Sequence, residues 1–298
     1  MKRITLRAHA KINLNLKVLR LRPDGFHEID SVVQTISLHD TLTLEEAPGD
    51  SLDLTVDPPE VPAGPDNLVF KAWERMSGAL SQTRQRGVRM RLDKRIPIGA
   101  GLGGGSSDCA AALAGLRRLW GIGLAEDRMQ ALAAGLGSDV PFFLTGGTAR
   151  LRGRGTEVEP LPDLLGHALV LVYPRTPLLT REVYAQVQEP LTPSAETGSM
   201  PPSNPTEHAA VGDWVRVGND LERGARMLCP VIGEVKGCLL DVGARSAAMS
   251  GSGSAVFGAF EDAAAADRAA REVGRRGWMV MRSDPLSRAE FFRDLGME

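Results

Sequence analysis

Residues 97–119 read PIGAGLGGGSSDCAAALAGLRRL, and the reading of this stretch decides the fold. At its centre, Gly101-Leu102-Gly103-Gly104-Gly105-Ser106-Ser107 places four glycines in five positions directly ahead of a helix-forming run. Missing side chains permit positive φ and let backbone N–H groups come close to a ligand. The unpaired N–H groups at the following helix start, together with the helix dipole, favour negative charge at the same spot. A phosphate chain suits such a cradle. Ser106 or Ser107 is expected as the helix N-cap, with Asp108 in the first turn. Beyond them Ala110, Leu113, Ala114, Leu116 and Trp120 recur at three- and four-residue steps and define one apolar helix face. Upstream, Val88 to Leu92 alternates as a strand does, and Pro97 closes it. Two familiar phosphate loops do not fit. A Walker A loop requires Gly-Lys-Ser/Thr, and no lysine follows these glycines. A dinucleotide fingerprint requires an acidic residue about 20 positions on, at the end of a second strand, whereas Asp127 falls in a helical stretch.

With 298 residues and 43% hydrophobic content the chain can bury a large core, and the length suits two domains as well as one. A formal net charge of −2 offers no general attraction to nucleic acid or an anionic membrane, so neither is an expected partner and any phosphate site is local. Cys109, Cys229 and Cys238 form an odd set without metal-like spacing, which fits a reducing cytoplasm. The N-terminal stretch MKRITLRAHAKINLNLKVL lacks the apolar core of a signal peptide, and no run approaches a membrane span. A soluble cytoplasmic protein with no obligatory protein partner is the expectation.

In chain order, Ile4 to Leu19 alternates as one strand, and Arg22-Pro23-Asp24-Gly25 forms a turn. Ser31 to Leu38, Asp40 to Glu45 and Ser51 to Val56 read as three further strands. Asp66-Asn67 caps a helix from Leu68 to about Leu80, and a second helix runs from Ala125 to Leu136, ended by Gly137. Thr148 to Arg152 and Glu157 to Leu161 make a hairpin around Gly153-Arg154-Gly155. A composition shift near Pro160 to Pro162 divides the chain into residues 1–160 and 161–298. The second part holds a strand from Ala168 to Tyr173, a short helix capped by Thr180, and a Pro-rich Glu189 to Pro205 segment without regular structure. Helices at Asp220 to Met227 and Pro230 to Leu240 lead to a glycine-rich turn in residues 247–258. A helix at Asp262 to Val273 and a last strand at Trp278 to Arg282 follow.

Three spaced motifs carry a resemblance. They are Ala10-Lys11-Ile12-Asn13-Leu14 on the first strand, the Pro97 to Ser107 loop, and the Ser250-Gly251-Ser252-Gly253 turn. Together they resemble the GHMP small-molecule kinases. Arg22-Pro23-Asp24-Gly25-Phe26-His27-Glu28 and Gly137-Ser138-Asp139-Val140-Pro141-Phe142-Phe143 are similar to a branch whose alcohol acceptor carries a cytidine diphosphate. The resemblance implies an α+β fold with a ribosomal protein S5 domain 2-like ATP-binding domain at residues 1–160. A ferredoxin-like substrate-binding domain is implied at 161–298. It also implies ATP and Mg²⁺ as cofactors. Pro97, Gly99, Gly101, Leu102, Gly103, Gly104, Gly105, Ser106 and Ser107 would hold the nucleotide, with Asn67 near the adenine and Ser107 a candidate metal contact. Asp139 would be the base for the attacking alcohol, and Lys11 would lie beside it. Asn13, Phe26, His27, Thr180, Tyr184, Gly251 and Gly253 would face the substrate, Phe26 and Tyr184 sandwiching the cytosine while His27 bonds its edge. Phe26 stands where the family pattern has tyrosine, which keeps the stacking face and removes a hydroxyl. Two alternatives stay open: a GHMP kinase acting on homoserine, mevalonate or a sugar, and a non-catalytic nucleotide-binding regulator.

Overall fold

The computed structural model describes residues 2–79, 86–187 and 218–297; the expected Glu189 to Pro205 segment lies outside them. The N-terminal half is built on one long strand. β3 (His27–Ala47) pairs with β1 (Arg3–Asn13), β2 (Lys17–Leu21), β5 (Gly87–Asp93) and β6 (Thr148–Gly153), while β4 (Leu52–Asp57) and β7 (Glu157–Leu161) close the sheet edges. The two strands expected at Ser31 to Leu38 and Asp40 to Glu45 are therefore one. His39 and Asp40 do not break it, because they stay in register with His9 and Ala8, and the ladder is irregular just before them, where the two steps from His9 to Lys11 in β1 face the four from His39 to Thr35 in β3. Conversely, the single strand expected from Ile4 to Leu19 divides into β1 and β2. Leu16 leaves the ladder between them to bridge to Asn219.

Helices α1 (Leu68–Gly78), α2 (Gly104–Trp120) and α3 (Glu126–Leu136) pack on this sheet through Leu42, Leu44, Met90, Leu113, Phe142 and Phe143, all buried. Asn67 caps α1 by accepting from the Val69 amide at 2.9 Å. The start of α2 departs from expectation. Its N-cap is Gly103, at φ 74°, with no side-chain cap. Ser106 and Ser107 lie inside the first turn, and Asp108 lies beyond it. The left-handed glycine begins the helix early, so the first amides of α2 are not consumed by a serine hydroxyl.

The second half carries β8 (Ala168–Tyr173), α4 (Thr180–Tyr184), α5 (Glu222–Leu228), α6 (Val231–Asp241), β9 (Ser246–Met249), β10 (Val256–Phe260), α7 (Ala263–Gly274) and β11 (Met279–Ser283). Its sheet order, β11-β8-β10-β9, is antiparallel throughout. With helices between the first and second strands and between the third and fourth, this is the ferredoxin-like arrangement. Thr180 does not cap α4. Leu179 occupies that position, and the Thr180 hydroxyl instead lies 3.1 Å from that of Ser252. A last helix, α8 (Arg288–Leu295), opens on a capping box of Ser287 and Glu290 and buries Phe291 and Leu295 in the N-terminal core. Ala10 and Ile12 of β1, and Leu14 just after it, meet Leu169, Leu171 and Phe257 in a further core between the two sheets.

Candidate active site

The three motifs converge on the backbone of Gly101. Its carbonyl accepts from Lys11 Nζ at 3.0 Å and from the Ser250 hydroxyl at 2.9 Å. The Lys11 amide donates to the Leu102 carbonyl at 3.0 Å, and the Ala255 amide to that of Ala100 at 3.1 Å. Gly101, at φ +75°, is pressed so closely against the second motif that a Cβ built on it would lie 2.1 Å from the Ser250 carbonyl oxygen. Gly251, at φ +54°, approaches from the other side, where a Cβ would lie 3.1 Å from Lys11 Nζ. Only residues without side chains bring three strands of backbone this near. Gly253, at φ +83°, closes the same turn against Met249.

Lys11 is 4% exposed. Its ammonium donates to Asn13 Oδ1 at 2.5 Å and lies 3.8 Å from Asp139 Oδ2. Burial pushes it below the usual lysine range, and the Asp139 charge opposes that shift. Asn13 is fixed in turn by donating to the Ser31 hydroxyl at 2.8 Å. Asp139 sits in the turn after α3, whose position is set by the buried Phe142 and Phe143. The Phe143 ring packs on the loop at Gly103, where a Cβ would come within 2.8 Å of it. The Asp139 side chain stays 37% exposed, so it is open to a ligand.

On the other side of the loop lies a cavity of about 270 Å³. Pro97, the run from Gly99 to Gly105, and Asn67 line it. Asn67 is doubly engaged, since its Nδ2 also donates to the Pro62 carbonyl at 2.7 Å. Ser107 is buried on the inner face of α2, whereas Gly105 stands open. The same cavity is lined by Lys94 and Asp108, which sequence reasoning missed. The Lys94 ammonium pairs with Asp108 at 2.6 Å and with Asp40. Asp40 also accepts the amides of Arg95 and Ile96, so it holds the chain leading into the loop. Burial pushes the Asp108 carboxyl up to about 8, with Lys94 pulling it back and Asp40 adding to the rise. The one signal was a charged residue at the centre of an apolar alternating strand, which reads equally well as a strand break.

The residues expected on the acceptor side make two aromatic contacts of their own. Tyr184 stacks on His27, with ring centres 5.0 Å apart and planes 29° from parallel. Burial raises the Tyr184 phenol above its ordinary range. Phe26 does not face Tyr184. It is 47% exposed and lies under the Arg154 guanidinium. His27 thus packs against Tyr184, and Phe26 against Arg154. Among the described residues no cluster of three or more His, Cys, Asp or Glu gathers as a metal site.

Residues 67–147 match the GHMP kinases N terminal domain and residues 206–278 the GHMP kinases C terminal domain, and the chain belongs to this class of kinases. Among curated relatives, a 4-diphosphocytidyl-2-C-methyl-D-erythritol kinase of Pelotomaculum thermopropionicum is 40% identical over 93% of this chain and 96% of its own. One from Geobacter sulfurreducens is 39% identical over 94% and 98%. A crystal structure of 4-(cytidine 5'-diphospho)-2C-methyl-D-erythritol kinase superposes with a TM-score of 0.77 at 35% identity, covering 95% of this chain and 99% of that one. Homoserine kinase from Cytophaga hutchinsonii, at 17% identity and a TM-score of 0.68 over 96% of both chains, shares the fold. Within the class, the chain belongs to the 4-diphosphocytidyl-2-C-methyl-D-erythritol kinase family.

Proposed function

We propose that the protein transfers the γ-phosphoryl group of ATP to the 2-hydroxyl of 4-diphosphocytidyl-2-C-methyl-D-erythritol, giving the 2-phosphate and ADP in the non-mevalonate route to isoprenoid precursors. The observation that carries this reading is the buried Lys11 ammonium, which touches the glycine loop at Gly101 and lies 3.8 Å from the open carboxylate of Asp139. Phosphoryl transfer asks mainly for positioning and charge neutralisation. The first amides of α2, left without a side-chain cap, and the open face at Gly105 provide an anion cradle beside a cavity sized for part of a nucleoside. Asp139 accepts the proton of the attacking alcohol. Lys11 offsets charge on the group being moved. Tyr184 and His27 supply aromatic faces, and Phe26 supplies another, for the cytosine.

Among the described residues no carboxylate cluster gathers as a metal site, so Mg²⁺ would be held mainly by ligand oxygens and water, with the open Asp139 carboxylate on offer, and it would supply charge neutralisation. A cytoplasmic location suits a small-molecule kinase whose three cysteines are free and buried. Measuring ADP release with the purified protein and each acceptor tests the reading. Turnover of the cytidine compound is expected. Turnover of mevalonate or homoserine in its place would overturn it.

A further inference from the structure

Arg154 lies at the tip of the hairpin between β6 and β7, outside all the motifs above. Its guanidinium carbon is 5.1 Å from the centre of the Phe26 ring. Its Nη2 donates to the Ala134 carbonyl, near the end of α3, at 2.8 Å. The neighbouring Gly155 backs onto the catalytic turn, where a Cβ would lie 3.7 Å from that of Ser138. The Arg154 side chain therefore ties the Phe26 turn to α3, and the next residue lies against the turn that carries Asp139. Phe26 needs such a tie, because an aromatic ring 47% exposed at a turn is otherwise free to rotate.

We infer that Arg154 is a positioning residue for the acceptor: anchored at Ala134, it occupies one face of the Phe26 ring and holds the other face ready for the cytosine base. The inference rests on the function proposed above. A base that stacks on a ring already held in place does not have to order it, so the gain appears as acceptor affinity. An exposed cation–π contact corresponds to about a two- to fivefold change in a binding constant.

Calorimetric titration of the full chain with cytidine 5'-diphosphate, and separately with ATP, tests this. Arg154→Ala is expected to weaken cytidine diphosphate by about two- to fivefold, to raise the acceptor KM correspondingly, and to spare ATP affinity. Arg154→Lys, which keeps a cation, recovers part of the loss. In a Phe26→Leu background, Arg154→Ala has no further effect, because the ring through which it acts is gone. Equal losses for both nucleotides, or the same loss in both backgrounds, would overturn the inference and leave the proposed function standing. Wild-type protein that binds ATP but not cytidine diphosphate would remove both.

Discussion

Lys11 Nζ lies 3.8 Å from Asp139 Oδ2 and donates to the Gly101 carbonyl at 3.0 Å, so one ammonium links the acid to the loop. The lysine is hidden and the carboxylate is not, which is the order needed if the acid meets an alcohol and the cation only tunes it.

Asp139→Asn keeps the size of the side chain and abolishes its basicity. The expected result is a fall in kcat of about two or more powers of ten with ATP binding retained. Steady-state turnover beside an ATP titration checks it, and unchanged turnover would remove Asp139 from the mechanism.

Two glycines of the loop should separate fold from binding. Gly101→Ala forces a Cβ to within 2.1 Å of the Ser250 carbonyl at a positive φ, so both the thermal midpoint and ATP affinity should fall. Gly105→Ala meets nothing nearer than Leu68 Cδ1 at 3.7 Å and sits inside the first turn of α2. It should leave stability unchanged or raise it by up to about 1 kcal/mol while weakening ATP, because the methyl group enters the phosphate cradle.

Asp40→Ala strips the buried Lys94 of one counter-charge and orphans the Arg95 and Ile96 amides. Urea unfolding should show a loss of about 3–5 kcal/mol. Asp40→Asn, which preserves one acceptor, should lose less.

His9 provides a pH test. Burial holds its imidazole below the ordinary 6.5, against the pull of Asp294 2.9 Å away, with His39 opposing protonation and Arg7 sharing the same carboxylate. Below pH 6.5 the unfolded chain takes up a proton that the folded chain resists, so stability falls on acidification and is flat with respect to His9 above that point. The slope is at most about 1.4 kcal/mol per pH unit. His9→Gln should flatten the difference between unfolding measured at pH 7 and at pH 5.5.

What was legible in the sequence depended on local signals. The strand, glycine loop and helix around Gly103, the Asn67 cap and the Gly153–Gly155 hairpin each announce themselves within a few residues, and all three appear where they were read. The failures have a common cause in partners far along the chain. Asp40 looks like a strand break until Lys94 and Asp108 arrive from 54 residues on and 14 beyond that. The placement of Ser106 and Ser107 as caps failed because a left-handed Gly103 makes a serine unnecessary. The packing of His27 on Tyr184 could not be read from one-dimensional order, since neighbours on a strand end point in opposite directions. Helix α8 did leave a local mark, the Ser287 and Glu290 box, and it went unread.

The contact between Gly101 and Ser250 has a consequence for protein engineering. One wall of the glycine loop, the proposed triphosphate cradle, belongs to a turn that the chain reaches only after some 150 further residues, and it fits against bare main chain, where no side chain can adjust to a mismatch. Chimaeras that exchange whole halves between kinases of this architecture will therefore inherit a misfitting seam at Gly101 and Ser250. Grafting single segments around Phe26, Arg154 and Tyr184, the proposed acceptor side, leaves that seam intact.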